Sequence, residues 1–292
     1  MWEGFEGVMQ PLFFILDPNK RVYWLYLLSA LILSIWLYGA LIFKKQHWIN
    51  SSSFVDLVWI FVNQGGTKLL LVPMLAMQIS CILWLNQIIK QLFGEGHWFY
   101  VNDSYLSLGF AFALFVSHDF SKYLLHLALH KMPFLWRFHA VHHSATSMTP
   151  LTLYRIHPVE FTINALRGLI VNVLLSVFFI YLFKNKITVF DLLGVNLFVF
   201  LFDVAGSNLR HSHIWLGFGK WERFFISPAQ HQIHHSAKIK HFNQNFGSTL
   251  AIWDALFNSL LLSKNEQVKV FGFDQKLKNR QTLKQQWSGI VY

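Results

Sequence analysis

Apolar residues in this chain gather into long uncharged runs that are separated by short polar stretches. The clearest run extends from Val22 to Phe43 and contains no charged residue. As a helix it would be about 33 Å long at roughly 1.5 Å per residue, which is enough to cross the apolar core of a bilayer. A second uncharged run extends from Leu69 to Ile89. The pattern therefore predicts helices that lie in a membrane.

Three further apolar segments are weaker candidates for membrane spans. They are Ser104 to Ser117, Gly168 to Phe183, and Ile187 to Asn208, the last of which contains Asp191 and Asp203. Charged residues within membrane helices usually face the protein interior, so we expect these segments to pack around a site. The predicted fold is an all-α, polytopic membrane helical bundle of about four to five spans with a cytoplasmic, histidine-rich helical cap.

The composition agrees with a membrane protein, because 54% of the 292 residues are hydrophobic and only 13% are charged. The N-terminus is acidic and has no basic segment before the first apolar run, so we expect no cleaved signal peptide. Cys81 is the only cysteine, which excludes a disulfide within the chain and any metal site rich in thiolates. A bound metal would therefore be held by nitrogen and oxygen.

The net charge of +10 comes from basic residues in loops and in the C-terminal tail, so we expect no nucleic-acid partner. If the first span begins outside, 17 of the 24 lysines and arginines fall on one side of the membrane. The positive-inside rule makes that side cytoplasmic. The histidine-rich segments lie on the same side.

Candidate chemistry comes from the 15 histidines, of which 11 lie in three clusters. The pattern His-x-x-His-His occurs twice, from His139 to His143 and from His231 to His235. Residues three and four apart share a face of a helix, so each motif presents three imidazoles in one direction. His126 and His130 do the same, near the end of a segment from Ser104 to His130 that could form one helix. Eight or nine convergent imidazoles suit two divalent ions of iron, zinc or copper.

Local signals place these histidines on helices. Ser227 is suited to an N-cap, Pro228 to the first helical position and Gln230 to a capping box, just before the last cluster. Pro133 separates the first cluster from the second and allows two histidine-bearing helices to fold toward each other. Pro158 begins the helix that follows.

Three alternatives remain for clustered histidines. A single histidine in a membrane protein most often contacts lipid headgroups or caps a helix, but this does not account for two identical triplets. A haem-b electron-transfer protein needs single histidines that face each other across a bundle. A divalent-metal transporter, or a protein that binds metal without turnover, is the third alternative. Transporters place ionisable residues near the middle of the membrane, whereas most of these histidines lie just past apolar runs.

The ordered segments "HDFSKYLLHLALH", "WRFHAVHHS", "RIHPVE", "LRHSHIWLGFG", "SPAQHQIHHS" and "NFGSTLAIWDALF" resemble the fatty acid hydroxylase/sterol desaturase superfamily of membrane di-iron oxygenases. The likeness extends over roughly Val116 to Leu260. We accordingly divide the chain into an N-terminal transmembrane hairpin region (1–103), a catalytic domain of this family's type (104–262) and a cytoplasmic C-terminal tail (263–292).

By position, the resemblance implies nine metal ligands: His126, His130, His139, His142, His143, His211, His231, His234 and His235. Residues that could orient the ligand imidazoles are His157, Asp119, Glu160 and Asp203; an N-cap is equally open for His157, and a helix-end or buried pairing carboxylate for the acids. Leu127 and Lys131 differ from residues common in the family and bear on the substrate subclass. His213, where asparagine is common, is left out of the ligand set.

The resemblance implies an oxygen-dependent hydroxylase or desaturase of an aliphatic position of a lipid. Its cofactors would be two iron ions, cycling between Fe2+ and Fe3+ and replaceable by zinc on purification, with dioxygen as co-substrate. Its partners would be a bilayer lipid and an electron-donating ferredoxin- or reductase-type protein. We expect a multi-pass protein of a bacterial inner membrane in preference to the endoplasmic reticulum. The lipid stays open among sterol, fatty acyl chain, ether lipid, carotenoid and aminolipid.

Overall fold

The computed structural model describes residues 10–66, 72–183 and 196–272. Within these ranges the chain forms ten α-helices, several short 3₁₀ helices and isolated β-bridges, but no β-strand. The α-helices in chain order are α1 (Trp24–Tyr38), α2 (Lys45–Trp48), α3 (Ser51–Gly66), α4 (Val72–Phe93), α5 (Asp103–Lys131), α6 (Pro133–His143), α7 (Pro158–Leu182), α8 (Leu197–Val204), α9 (Pro228–His234) and α10 (Ile252–Leu256). The 3₁₀ helices are Gln10–Leu16, Gly39–Phe43, Pro150–Tyr154, Ser207–His211, Gly219–Arg223 and Ile239–His241. The all-α prediction is confirmed for this part of the chain.

Two helical segments are long and apolar enough to cross a membrane, Trp24–Phe43 and Pro158–Leu182. In both, only 22% of the most apolar stretch is buried inside the protein, so most of its side chains face outward. The first segment is not one continuous α-helix. α1 ends at Tyr38, and Gly39, with a φ of 56°, starts a 3₁₀ helix that continues to Phe43.

Three other predicted spans are not among these two segments. The apolar runs at 69–89 and 104–117 fall largely within α4 and α5, which are long helices of lower hydropathy. The first part of the run at 187–208, with Asp191, lies outside the described residues, as does most of the C-terminal tail, and the rest of the run forms α8 and the 3₁₀ helix that follows it. The count of four to five spans and the cytoplasmic cap therefore stay predictions.

Helix α7 packs against both α4 and α5, and these three long helices form the centre of the bundle. Ile82 of α4 is buried against Val173 and Val177 of α7. α5 begins where the side chain of Asn102 accepts a hydrogen bond from the backbone N–H of Ser104. α5 is 29 residues long, so its histidine-bearing end lies about 43 Å from its start at roughly 1.5 Å per residue.

The predicted helix boundaries around the histidines are confirmed. α5 ends just before Pro133, which is the first residue of α6, and Pro158 is the first residue of α7. Ser227 caps α9: its hydroxyl accepts from the Gln230 N–H at 3.1 Å, and the Gln230 side chain accepts from the Ser227 N–H at 3.0 Å. α9 packs on the 3₁₀ helix Ser207–His211, which brings another histidine beside its own.

Candidate metal centre

These helix ends bring nine histidines together in two groups. The five-histidine group consists of His126, His130, His139, His143 and His234, and the four-histidine group consists of His142, His211, His231 and His235. Within each group, one nitrogen from every ring lies within 4.8 Å of the others. Seven of the nine residues are buried, and His126 and His130 are partly exposed. Each group is compact enough to hold one metal ion.

Each His-x-x-His-His motif is divided between the two groups. His142 lies in the four-histidine group although its neighbour His143 lies in the five-histidine group, and His235 and His234 are divided in the same way. This differs from the single direction expected of each motif. Adjacent residues of a helix point about 100° apart because a turn contains 3.6 residues. The paired histidines therefore face two neighbouring sites, and the ring of His143 stacks on that of His235 at 4.4 Å.

The protonation of four histidines follows from their hydrogen bonds. In each of them Nδ1 faces an oxygen: His126 faces the carbonyl of Phe246 (2.7 Å), His142 that of Arg155 (3.3 Å), His234 that of Gln244 (2.8 Å), and His139 faces Oε1 of Glu160 (2.9 Å). A carbonyl oxygen only accepts hydrogen bonds, so Nδ1 of His126, His142 and His234 carries the hydrogen, and the carboxylate of Glu160 accepts from Nδ1–H of His139 in the same way. The Nε2 atom of the neutral ring is then a bare lone pair that points into the group.

The closest nitrogens in the five-histidine group are therefore not a hydrogen-bonded pair. Nε2 of His126 lies 3.1 Å from Nε2 of His139, and both rings use their hydrogen at Nδ1. Two facing lone pairs repel each other unless a cation lies between them. In the four-histidine group, Nε2 of His231 lies 3.0 Å from Nε2 of His211 and 3.2 Å from Nε2 of His235. Both donor sets fit a metal ion.

Other ring nitrogens are free to act as ligands. Nε2 of His130, His143 and His234 and Nδ1 of His231 are buried and have no hydrogen-bond partner in the part of the chain described here. Buried polar atoms in proteins are nearly always paired, so unpaired nitrogens gathered at one place indicate a ligand-binding role. Imidazole nitrogens suit iron, zinc and copper.

Burial keeps these imidazoles neutral. It lowers the pKa of His142 and that of His234 to about 3, mainly because a charged ring would lose its hydration. The same cause, with repulsion from neighbouring histidines, lowers the pKa of four further rings well below 6.5: His143, His211, His231 and His235. At neutral pH these rings therefore offer lone pairs and not positive charges.

A loop at residues 244–250 supplies two of the carbonyl acceptors, and a buried carboxylate fixes it. Asp254 accepts hydrogen bonds from the backbone N–H groups of Phe246 (2.8 Å) and Gly247 (2.7 Å) and from the hydroxyl of Ser259 (2.5 Å). Gly247 is needed here, because a Cβ atom would lie 2.7 Å from Oδ2 of Asp254. The loop thereby holds the Phe246 carbonyl against His126.

A buried ion pair fixes another acceptor. Nε of Arg155 donates to Oδ1 of Asp56 in α3 at 2.7 Å, and the two side chains are 2% and 0% exposed. The same carboxylate accepts from the hydroxyl of Thr152 at 2.7 Å, and Arg155 also donates to Ser52. Because the Arg155 carbonyl faces His142, α3 helps to position a ring of the four-histidine group. Sequence reasoning missed this contact, since Asp56 lies 99 residues before Arg155 and carries no motif.

The residues proposed to orient imidazoles have different partners. Glu160 contacts Nδ1 of His139, which corresponds to one of the two roles that the sequence left open for it. Asp203 instead forms an ion pair with Arg21 and accepts from the Ser207 hydroxyl.

Asp119 and His157 support the backbone. Asp119 accepts from the N–H groups of Thr249 (2.8 Å) and Leu250 (3.0 Å) and from the indole of Trp253 (2.9 Å), so it anchors the far end of the loop at 244–250. Nδ1 of His157 accepts a hydrogen bond from the N–H of Val159 at 3.1 Å, so His157 is the N-cap of α7.

His213, which the sequence excluded from the ligand set, lies outside both groups. Its ring stacks on that of His47 with centroids 4.2 Å apart.

A cavity of about 460 Å³ adjoins both groups. Its lining includes His139 of the five-histidine group and three members of the four-histidine group, His142, His211 and His231. The volume is in the range of small-molecule sites, roughly 300–1,000 Å³. The cavity is therefore a candidate binding site for the part of a substrate that reacts at the histidines.

A comparison with known protein families finds one that this chain matches. The family model described as "Fatty acid hydroxylase" matches residues 111–259, a segment that contains all nine histidines. No solved structure matches the chain.

Two curated relatives match with moderate identity. An ornithine lipid hydroxylase of Rhizobium tropici is 30% identical over 142 residues, which are 48% of this chain and 38% of that protein. An alkylglycerol monooxygenase of Caenorhabditis elegans is 24% identical over 199 residues, which are 68% of this chain and 34% of that protein. The matched parts thus make up little more than a third of each relative's length.

Proposed function

The chain belongs to the fatty acid hydroxylase/sterol desaturase superfamily, and from this premise we propose that it is a membrane-bound, di-iron oxygenase that hydroxylates or desaturates an aliphatic position of a lipid. The observation that supports this most strongly is the pair of facing lone pairs on His126 and His139, inside two groups of buried histidines. The relatives described as a lipid hydroxylase and a monooxygenase favour the same class of substrate and reaction.

The nine histidines would hold the two ions, one ion in each group. When bound, iron supplies the oxidation: dioxygen, two electrons and two protons convert a C–H bond to C–OH with release of one water, or remove two hydrogens to give an alkene with release of two waters. Glu160 and the carbonyls of Arg155, Gln244 and Phe246 orient four of the rings, His139, His142, His234 and His126, so that their Nε2 atoms would be available to an ion. Such contacts fix the tautomer and raise the basicity of the ligand nitrogen.

The surroundings of the site suit a lipid substrate and a protein electron donor. The outward-facing apolar surfaces of Trp24–Phe43 and Pro158–Leu182 favour a multi-pass protein in a membrane, from which a lipid would reach the cavity. The net charge of +10 favours an acidic ferredoxin- or reductase-type partner at a cytoplasmic face. A bacterial inner membrane is the location we propose.

The metal assignment is tested by measuring bound iron in purified variants. His142→Ala and His235→Ala each remove a ring from the four-histidine group, so we expect both to lose iron and activity while still inserting into the membrane. His47→Ala is the matched control, because its ring stacks on His213 outside both groups. Normal iron content and turnover in both test variants would rule out these residues as ligands.

The reaction is tested by comparing the lipids of cells with and without the gene, grown in air. We expect a lipid species that is one oxygen heavier or two hydrogens lighter only when the active protein is present, and not with His142→Ala. Unchanged lipids together with a change in cellular metal content would instead support a metal-binding or transport protein.

A further inference from the structure

The cavity beside the histidines carries more positive charge than its own carboxylates neutralise. Four cationic side chains line it: Arg21, Lys122, Arg167 and Arg210. Three carboxylates line it as well: Asp119, Glu160 and Asp203. A surplus of cations in a pocket that excludes much of the bulk water favours an anionic ligand.

Each of these carboxylates already has its own partners. Asp119 accepts two backbone N–H groups and the indole of Trp253. Glu160 accepts from His139, and Asp203 is paired with Arg21. Only Asp203 forms a direct ion pair with one of the four cations, so the lining as a whole keeps one positive charge in excess.

Within residues 10–66, 72–183 and 196–272, Lys122, Arg167 and Arg210 form no ion pair with a carboxylate, and Arg210 is held by backbone carbonyls. None of the hydrogen-bond partners of Arg167 there is a carboxylate: they are the side chain of Asn164 (2.9 Å), the hydroxyl of Ser121 (2.7 Å), and the carbonyl (3.3 Å) and Nδ1 (3.4 Å) of His118. No carboxylate of these ranges forms an ion pair with Lys122 either. An ammonium and a guanidinium on one cavity wall form a suitable site for a carboxylate or a phosphate.

Each of the two cations lies within two helical turns of a residue at the histidine groups: Lys122 of His126, and Arg167 of Glu160, which contacts His139. Lys122 and His126 are four residues apart on one face of α5, about 6 Å along the axis at roughly 1.5 Å per residue. Arg167 lies seven residues after Glu160 on one face of α7, about 10 Å along the axis by the same rise. A group bound by both cations would be separated from the metal centre by several bonds of a substrate.

We propose that Lys122 and Arg167 bind the anionic end group of the lipid substrate, a carboxylate or a phosphate, and that the oxidised carbon therefore lies near this end and not far along the acyl chain. The inference rests on the proposed function, because it treats the ligand of the cavity as the substrate. The other two cations of the cavity have partners of their own: Arg21 is paired with Asp203, and Arg210 donates to the carbonyls of Ser207 and Ser248.

The test is a binding titration with the purified, iron-loaded protein in neutral detergent. The probes are hexadecanoate, hexadecyl phosphate, hexadecanol and inorganic phosphate. We expect the two anionic amphiphiles to bind at least about tenfold more tightly than hexadecanol, a preference typical of one or two charge-assisted hydrogen bonds. Inorganic phosphate alone should bind weakly, because it has no chain.

The test variant is Lys122→Gln with Arg167→Gln, and its matched control is Lys220→Gln with Arg223→Gln. Both remove two positive charges, but Lys220 and Arg223 are exposed and do not line the cavity. We expect the test variant to lose the preference for anionic amphiphiles and the control to keep it. The charge-conserving pair Lys122→Arg with Arg167→Lys should keep it too, and iron content reports whether each variant has folded.

Three results would overturn the inference: equal binding of hexadecanoate and hexadecanol to the wild-type protein, an unchanged preference in an iron-loaded test variant, or phosphate binding as tight as that of the amphiphiles. The comparison of cellular lipids distinguishes failure of this inference from failure of the proposed function. An oxygenated neutral lipid, made equally by the test variant, contradicts the anionic substrate but keeps the oxygenase. Selective binding of anionic amphiphiles without any oxidised lipid contradicts the oxygenase and leaves an anion-binding cavity.

Discussion

At the scale of single residues, the two nitrogens of an imidazole have separate tasks in this protein. In His126, His139, His142 and His234, Nδ1 donates a hydrogen bond outward, and Nε2 faces the other histidines. The outward acceptor decides the tautomer, because a ring has only one hydrogen when neutral. A change at an acceptor should therefore alter metal binding without touching a ligand.

Glu160 provides the residue-scale prediction. Glu160→Ala leaves the Nδ1–H of His139 buried without its acceptor, so we expect metal affinity to fall by about 10- to 100-fold. Glu160→Gln keeps an acceptor oxygen and should lose much less. The measurement is a competition between the purified protein and a chelator.

Glu266→Ala is the matched control for that experiment. Glu266 contacts Nε2 of His241 at 2.9 Å, and this histidine belongs to neither group. Its removal should leave metal affinity unchanged. If the Glu160 and Glu266 variants had the same affinity as the wild type, the role given to Glu160 would be wrong.

The nine histidines that the structure brings together could be singled out from sequence, but their division into two groups could not. Spacing and residue type single out the nine histidines, because imidazoles three and four apart share a helix face. The division of His142 from His143 depends on how each ring is turned. The orientation of each ring is set by the backbone carbonyls of Arg155 and other distant residues. Every residue has a backbone carbonyl, so the sequence does not show which one a histidine contacts.

At the scale of secondary-structure elements, α3 supports the site from outside the matched segment 111–259. Its Asp56 is fully buried and holds Arg155, whose carbonyl faces His142. An ion pair of this kind is expensive to break, because the remaining charge has neither water nor partner. The N-terminal region therefore contributes to the arrangement of the four-histidine group, in addition to supplying the apolar segment Trp24–Phe43.

Asp56→Ala tests this contribution. It leaves the buried guanidinium of Arg155 unpaired, and we expect a loss of about 3–5 kcal/mol in the free energy of unfolding. The affinity for iron should fall as well, because the His142 acceptor moves. Thermal unfolding in detergent and chelator competition measure the two effects.

The control for α3 is an exposed ion pair. Glu95→Gln removes the partner of Lys90 at the protein surface, where both groups stay hydrated. We expect the melting temperature and iron affinity of this variant to match those of the wild type. An Asp56 variant as stable as the Glu95 variant would contradict the role of the buried pair.

Helix boundaries near the site were predictable because caps are local. Ser227 with Gln230, Pro133 and Pro158 each set a helix start through contacts within a few residues. The break in the first apolar run at Gly39 was not predictable from hydropathy, because an uncharged run does not report a change from α- to 3₁₀-helix. Long-range elements such as the Asp56 contact depend on the tertiary fold.

At the scale of the whole molecule, folding buries many neutral imidazoles together. Between pH 6.5 and the lowered pKa of about 3 for His142 and His234, the folded protein binds fewer protons than the unfolded chain. Stability therefore rises with pH across this interval. The contribution is fully present above pH 6.5 and is lost as the pH falls toward 3.

We accordingly expect the melting temperature of the metal-free protein to fall as the pH is lowered below about 6.5. The buried carboxyl of Asp254 acts in the opposite direction, since burial raises its pKa from 3.8 to about 6 and favours its protonated form. The six histidines whose pKa burial strongly lowers outweigh the effect of Asp254. A melting temperature that stays constant or rises on acidification would contradict the burial of neutral rings.

Loading with zinc is the companion measurement. A metal that binds the folded state raises the melting temperature at neutral pH by mass action, and protons compete with it for the same nitrogens. The stabilisation should disappear on acidification or on addition of a chelator.

Membrane character was predictable at this scale, because hydrophobic composition and uncharged runs require no tertiary information. The number of spans was harder to predict. α5 begins apolar and ends with histidines, so its mean hydropathy does not reveal whether it lies in lipid or against the other helices. The packing of α4 and α5 on α7 decides that, and it depends on residues far apart in the sequence.

The distance in sequence between His126 and its acceptor at Phe246 has a consequence for biosynthesis. The two residues are 120 positions apart. A ribosome adds roughly 5–20 residues per second, so Phe246 is synthesised about 6 to 24 s after His126. During this time α5, α6 and α7 are already made and can enter the membrane. The two histidine groups are thus completed late in synthesis, and any ions they hold would be bound only after translation has passed the loop at 244–250.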